Sequence, residues 1–434
     1  MGRKRAFSPL SVFLNQRFVG TLARQSTGSV TFQYDGTWLD WEHTMPISLS
    51  LPLRQDRFIG APVIAVFDNL LPDNDMIRRR VAERVGAQGT DAFSLLSEIG
   101  RDCIGALQLL PDGTEPQRQE KLTGEVVSPE EIEATLNDLD ARPLGIRRDR
   151  DFRISVAGAQ EKTALLFHEG QWYEPSGSTP TTHIIKPQIG MLPNGMDLSN
   201  SVENEYLCLK LLDAFGLRVA KAEITMFGEK KALVVERFDR RWTKDGRLIR
   251  LPQEDMCQAL SVPSTRKYQS EGGPGIVDIM GQLLGSSEPA QDRADFFKAN
   301  MLFWLLGATD GHAKNFSISL LPGGRYRMTP FYDVMTVQPT FSNGQIQRKD
   351  FRLAMRFGES NHYRVEDIFG RHILETAQQA GLSKEIAMSL IEEVADSAKS
   401  AIDAVSEELP DAFPNELLTS ISEGLLNRLS RLRS

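Results

Sequence analysis

The residues best able to do chemistry lie between positions 310 and 333. Asp310-Gly311-His312-Ala313-Lys314-Asn315 follows an apolar run ending near Gly307, which puts it on a loop at a helix end. Asp333 comes eighteen residues after Asn315, in Pro330-Phe331-Tyr332-Asp333, just past a short strand. Mg²⁺ is a hard ion that takes oxygen ligands, and Asn315 and Asp333 could supply them beside phosphates. Asp310 would then stay clear of metal and face a nucleophilic hydroxyl. That division of labour is phosphoryl transfer, and kinase catalytic loops place Asp and Asn at this five-residue step. His312 could touch the phosphates, and Lys314 could neutralise developing charge. Alone the spacing is a weak signal, because Asp and Asn are common in turns.

Other positions support it. Lys186 ends an apolar strand, where a kinase puts the lysine that grips the α- and β-phosphates. Glu205, nineteen residues on, is a candidate partner for it on the next helix, with Glu203 as the alternative. Ser155-Val156-Ala157-Gly158-Ala159-Gln160-Glu161-Lys162 contains small residues whose N–H groups could cover phosphates, and Lys162 could add charge. It lacks the G-x-G-x-x-G pattern. Val234-Val235-Glu236-Arg237-Phe238 ends the last strand before a helical region. Glu236 and Phe238 there would offer backbone groups to adenine.

The elements that must position these groups are legible in outline. Leu10–Leu14 and Arg17–Leu22 read as a hairpin around Asn15-Gln16, and Ser29–Tyr34 as a third strand. Pro46 to Pro52 reads as extended. Ile77–Val85 and Ala92–Ile99 read as short helices, and Ile104–Leu110 as a strand. Residues 111–127 read as a linker. Ser128-Pro129-Glu130-Glu131 combines an N-cap, a first-turn proline and a capping box. Expected strands are Ile154–Ala157, Thr163–Phe167, Thr182–Lys186, Ala222–Phe227 and Ala232–Phe238, with a helix from Val202 to Phe215 stopped by Gly216. Helices are expected over Ala294–Leu306, Val365–Ala380, Lys384–Leu409 and Glu416–Leu432, with a short strand at Arg325–Met328. The expected fold is α+β and protein-kinase-like in two lobes, a small β-rich one and a helical C-terminal one, with an additional N-terminal α+β domain. The expected divisions are an accessory domain over 1–115, a sheet lobe over 116–240 and a helical lobe over 241–434.

Composition excludes several classes. At 434 residues, 41% hydrophobic and 25% charged, the chain is an ordinary globular one of two or three packed units. Its net charge of −8 argues against autonomous DNA binding, which rests on neutralising phosphates. Arg78-Arg79-Arg80 reads as a solvated helix face. Cys103, Cys208 and Cys257 are far apart and lack metal spacing, so they read as reduced core residues. No signal peptide or membrane-length apolar run is present in the sequence, so the expected location is cytoplasmic.

Long stretches of the chain resemble the HipA toxin kinases. They are Phe67–Asp73, Leu95–Asp102, Asp151–Lys162, Thr181–Lys186, Glu236–Arg241, Leu251–Asp255 and Gly307–Asn315. The resemblance implies an ATP- and Mg²⁺-dependent Ser/Thr protein kinase, the toxin of a toxin–antitoxin pair. It implies phosphorylation of an aminoacyl-tRNA synthetase, with the glutamyl enzyme as the expected target, and hence dormancy and drug tolerance. It implies a HipB-type helix-turn-helix antitoxin that carries operator DNA recognition and for which the kinase acts as co-repressor. It also implies self-inactivation by autophosphorylation, on Ser155. By the same resemblance Asp310 is catalytic. Ala157 to Lys162, Lys186, Glu236, Arg237, Phe238, His312, Asn315, Tyr332 and Asp333 face ATP. Two other readings compete: a small-molecule phosphotransferase, which the loop chemistry alone does not exclude, and a non-catalytic pseudokinase that only stabilises a repressor, which has no need of Asp310, Asn315, Asp333 and Lys186 together.

Overall fold

The computed structural model describes residues 7–116, 122–139, 143–146, 154–158 and 160–433. The chain divides into two compact units. The first comprises Met1–Pro187, Thr225–Thr265 and Ile318–Tyr326, and the second Gln188–Ile224, Arg266–Ser317 and Arg327–Ser434.

The first unit begins with a five-stranded antiparallel sheet. Its order is Phe58–Ile59, Val30–Tyr34, Arg17–Arg24, Leu10–Leu14, Leu107–Pro111. Asn15 and Gln16 turn the first hairpin with φ of 47° and 70°, the two positive values that let a two-residue turn follow the strand twist. Helices Ala61–Asp68, Asp75–Val85 and Ala92–Ile99 accompany this sheet, and Asn74 and Asp91 cap the last two with their side chains.

A second, six-stranded sheet runs in the order Ala222–Phe227, Lys230–Glu236, His183–Pro187, Thr163–His168, Gln171–Pro175, Gly124–Val127. The helix Pro129–Asn137 starts with the expected box: Glu131 N–H donates to Ser128 Oγ and Ser128 N–H donates to Glu131. Its apolar face packs Ile132 and Leu136 on Leu165, Ile185, Phe227 and Val234 of the sheet. Removing side chains of this size from water stabilises by about 1.5–3 kcal/mol each.

The second unit is mainly helical. The helix Pro289–Leu306 is buried along nearly its whole apolar half, and Gly307 ends it at φ 72°. Lys384–Glu408 packs on Ser201–Ala214, and Asn415–Leu432 packs on Pro289–Leu306. No described helix is long and apolar enough to cross a membrane.

The structure departs from the sequence reading in several places. Ile154–Ala157 is not a strand. Its backbone is engaged elsewhere: Ser155 N–H donates to Asp102 O at 2.9 Å, and Gly158 bridges Pro72. The end of the supposed linker, Gly124–Val127, is the edge strand of the six-stranded sheet. Pro46–Pro52 is not extended, because Leu51 N–H turns back to Ser48 O. The arginine run is a solvated face only at Arg79. Arg78 is buried against Asp68 at 2.7 Å, and Arg80 pairs with Glu161.

Candidate active site

The sequence-predicted residues fall into two groups, one in each unit. In the second unit, Gly307 stops the Pro289–Leu306 helix and the chain enters the 310–315 loop. Gly311 is needed there, because a Cβ at that position would lie 2.3 Å from Cδ2 of Phe303. The loop closes on itself: His312 N–H donates to Asp310 O at 2.8 Å and Asn315 N–H to His312 O at 2.9 Å. The Asn315 amide nitrogen donates to Asp310 O at 2.8 Å and to Asp333 O at 3.4 Å. One side chain therefore ties together the backbones that carry both carboxylates, and its amide oxygen is left to act as a ligand. Asp333 is half-buried in the left-handed region at φ 57°. A non-glycine residue held there costs free energy, and such strain gathers at functional positions.

His312, Lys314 and Asn315 are buried, whereas the Asp310 side chain is 60% exposed. The Tyr332 hydroxyl donates to Lys314 O at 2.9 Å and meets Ser317 Oγ at 2.5 Å, locking the Asp333 segment to the loop. Residues 310, 312, 314, 315, 332 and 333 are thus brought together as the spacing implied. Asn315 and Asp333 offer one amide and one carboxylate oxygen, a donor set that fits Mg²⁺ completed by phosphates and water. Tyr268 is a member that sequence reasoning missed. Its hydroxyl donates to Asp310 Oδ1 at 2.5 Å. No motif or spacing marks a tyrosine forty-two residues upstream.

In the first unit, Lys186 is buried on His183–Pro187, opposite Leu233 in the register. Ala157, Gly158, Gln160, Glu161 and Lys162 line one loop, and Ala159 lies outside the described residues, as do Asp151 to Arg153. Gly158 has φ 110°. Lys162 Nζ donates to Ala157 O at 2.8 Å, and a Cβ on Gly158 would lie 2.5 Å from that ammonium. Gln160 donates to Pro187 O at 3.2 Å. Ser155 is fully buried and its hydroxyl donates to Leu70 O at 2.6 Å. The loop is therefore pinned to residues 70–73 and 102 of the N-terminal part.

Glu236 is exposed, whereas Arg237 points inward. Arg237 N–H donates to Thr182 O, so that amide is already used. The Arg237 guanidinium joins Arg240, Arg250, Asp102 and Asp239 in a buried cluster. Burial raises the Asp102 carboxyl, but Arg240, Arg250 and Arg237 outweigh it and hold the group far below the usual carboxylate range. Burial pushes the neighbouring Cys103 thiol up to about 12, which keeps it an inert thiol. Glu205 and Glu203 are both buried on Ser201–Ala214 in the second unit, where Glu203 accepts from Gln188 at 2.6 Å. Lys186 and its candidate partner Glu205 belong to different units.

The family model of the HipA N-terminal domain matches residues 10–110, and that of the HipA-like C-terminal domain matches residues 154–402. The chain belongs to the HipA family. It is 35% identical over 408 residues to a protein named putative kinase Y4mE of Sinorhizobium fredii, covering 93% of each. It is 28% identical over 422 residues to the serine/threonine-protein kinase toxin HipA of Shewanella oneidensis, covering 94% of this chain and 91% of that one. A solved complex of HipA, HipB and operator DNA from Shewanella oneidensis MR-1 contains a chain matching this one at a TM-score of 0.80 and 25% identity over 97% of each. The mixed helix and sheet content and the kinase-like fold expected from the sequence are those of this HipA family member.

Proposed function

We propose that this HipA-family chain is an ATP- and Mg²⁺-dependent Ser/Thr protein kinase and the toxin of a toxin–antitoxin pair. The observation that carries the reading is Asn315 bonding the backbones of both Asp310 and Asp333. It joins the backbones that carry the substrate-facing carboxylate and the metal-facing one. Asp310 accepts the proton of the attacking hydroxyl. Asn315 and Asp333 hold Mg²⁺, which when bound neutralises phosphate charge. Lys186 grips the α- and β-phosphates, and His312 and Lys314 stabilise charge developing on the transferred group. The N–H groups from Ala157 through Lys162 cover the phosphates, and Glu236 and Phe238, on either side of Arg237, offer backbone groups to adenine. The accessory domain spans 1–115, the sheet lobe 116–240 and the helical lobe 241–434.

The proposed target is an aminoacyl-tRNA synthetase, the glutamyl enzyme first, so that modification stops charging and brings dormancy in the cytoplasm. Likeness to the HipA chain of a HipA–HipB–operator complex supports a HipB-type antitoxin as partner and a co-repressor role on operator DNA. Ser155 is the proposed autophosphorylation site. Phosphate adds about −1.5 to −2 charge, which the buried pocket around Leu70 O does not accommodate, so the loop would leave it and the kinase would switch off.

The test is intact-mass and peptide mass spectrometry after incubation with Mg²⁺–ATP, for wild type and Asp310→Gln. One phosphate on Ser155 in wild type only is the expected result. Phosphate on both proteins would remove Asp310 from the mechanism. None on either, starting from unmodified protein, would favour a non-catalytic co-repressor.

A further inference from the structure

We propose that Tyr268 is a positioning residue that holds the Asp310 carboxylate in its working orientation. This rests on the kinase reading above and adds a residue to it. The Asp310 side chain is 60% exposed, and an exposed carboxylate samples several rotamers unless something holds it. The loop's own bonds fix only the Asp310 backbone: its carbonyl accepts from His312 N–H and from the Asn315 amide. His312 Nε2 stands 3.9 Å from Oδ1, beyond hydrogen-bond length. The Tyr268 hydroxyl reaches Oδ1 at 2.5 Å, the short length of a bond to a charged acceptor.

The donor is itself preorganised. Tyr268 O accepts from Glu271 N–H and Gly273 N–H, each at 3.0 Å. The preceding carbonyl, of Lys267, accepts from Ala313 N–H inside the catalytic loop. The Tyr268 ring meets the His312 ring edge-on at 5.0 Å, and the next side chain, Gln269, accepts from Arg356 N–H at 2.8 Å. The backbone that carries the phenol is thus held on both sides, and its ring rests against His312, before substrate arrives. With Oδ1 taken by Tyr268, Oδ2 is the oxygen presented to the incoming hydroxyl. An aligned base needs no reorganisation at the moment of reaction, which is where such an arrangement gains rate.

The experiment compares full-length wild type with Tyr268→Phe, which keeps the ring contact to His312 and removes the hydroxyl. Steady-state phosphorylation of a serine peptide should show kcat lowered roughly ten- to a hundredfold, the worth of one hydrogen bond to a charged group. The KM for ATP and the calorimetric affinity for Mg²⁺–ADP should stay the same, which a general loss of structure would not allow. In an Asp310→Glu background, where the carboxylate is displaced from the phenol, Tyr268→Phe should add little further loss. Three results would overturn the proposal: unchanged kcat, fully additive losses in the two backgrounds, or phosphate mapped to Tyr268 itself, which would make it an acceptor. If wild type transfers no phosphate at all, the kinase reading falls and takes this assignment with it. If wild type is active and Tyr268→Phe matches it, only the assignment to Tyr268 falls.

Discussion

Asp102→Asn is the most demanding test of how the first unit is held together. The Asp102 carboxylate accepts from Arg240 Nη2 at 2.8 Å, Arg250 Nε at 2.9 Å, Arg237 Nη1 at 3.4 Å, Thr181 N–H at 3.1 Å and Thr181 Oγ1 at 2.7 Å. These side chains are almost fully buried. Asn keeps the shape but removes the charge, leaving Arg237 and Arg240 to share the single carboxylate of Asp239 and taking the carboxylate from Arg250. Breaking a buried pair from one side costs about 3–5 kcal/mol. At about 2–4 °C per kcal/mol for a unit of this size, the melting temperature should fall on the order of 10 °C. The pH dependence has a definite sign. A carboxyl held below its ordinary value of 3.8 contributes stability above that pH and loses it only as pH drops toward the folded value. The gap between wild type and variant should therefore be constant from pH 5 to pH 8 and shrink below about pH 4. Circular-dichroism melts across that range measure it. A fall under about 2 °C at neutral pH, where about 3–5 kcal/mol is expected, or a gap that widens on acidification, would refute the reasoning.

Two further outcomes follow from buried groups. Burial raises the Glu254 carboxyl to about 8, while Oε1 accepts from Leu49 N–H at 2.8 Å. A raised carboxyl favours the fold below its unfolded value of 4.5 and gives that stability up as pH climbs toward about 8. Glu254→Gln should therefore flatten the loss of melting temperature between pH 5 and pH 9, and parallel curves for the two proteins would exclude this role. Gly311→Ala puts a methyl 2.3 Å from a ring carbon of buried Phe303. It should cost about 1–3 kcal/mol and lower phosphoryl transfer more than the melting shift accounts for. Wild-type transfer in that variant would show that the loop tolerates displacement.

Local chemistry made part of this molecule readable. The Asn15-Gln16 turn, the Ser128–Glu131 box and the glycine stops at Gly216 and Gly307 each act through their own backbone, and each lies where the sequence put it. The bonds inside the Asp310–Asn315 loop are local too, between residues at most five apart, but the spacing was a weak signal until the rest of the chain supported it. What was not legible depends on distant partners. Ile154–Ala157 has strand-like residues, but Leu70 and Asp102 claim its hydrogen bonds. Gly124–Val127 looks like linker until Gln171–Pro175 pairs with it. The strands Ser317–Leu321 and Arg352–Phe357 went unread because their alternation is short. Arg78 looked solvent-facing because its acceptors, Asp68 and Pro72 O, come from the preceding turn and helix end. Tyr268 carries no signal in its neighbours at all.

The ionic cluster also has a consequence for the order in which the protein is made. Asp102 leaves the ribosome long before its counter-ions: Arg237, Arg240 and Arg250 follow 135 to 148 residues later. At about 5–20 residues per second, the N-terminal segment carries an uncompensated carboxylate for several seconds or more. Ser155 emerges in that interval and can dock on Leu70 and Asp102 O before any part of the 310–315 loop has been synthesised. The nascent chain thus has Ser155 and its docking partners in hand well before the Asp310–Asn315 loop is made.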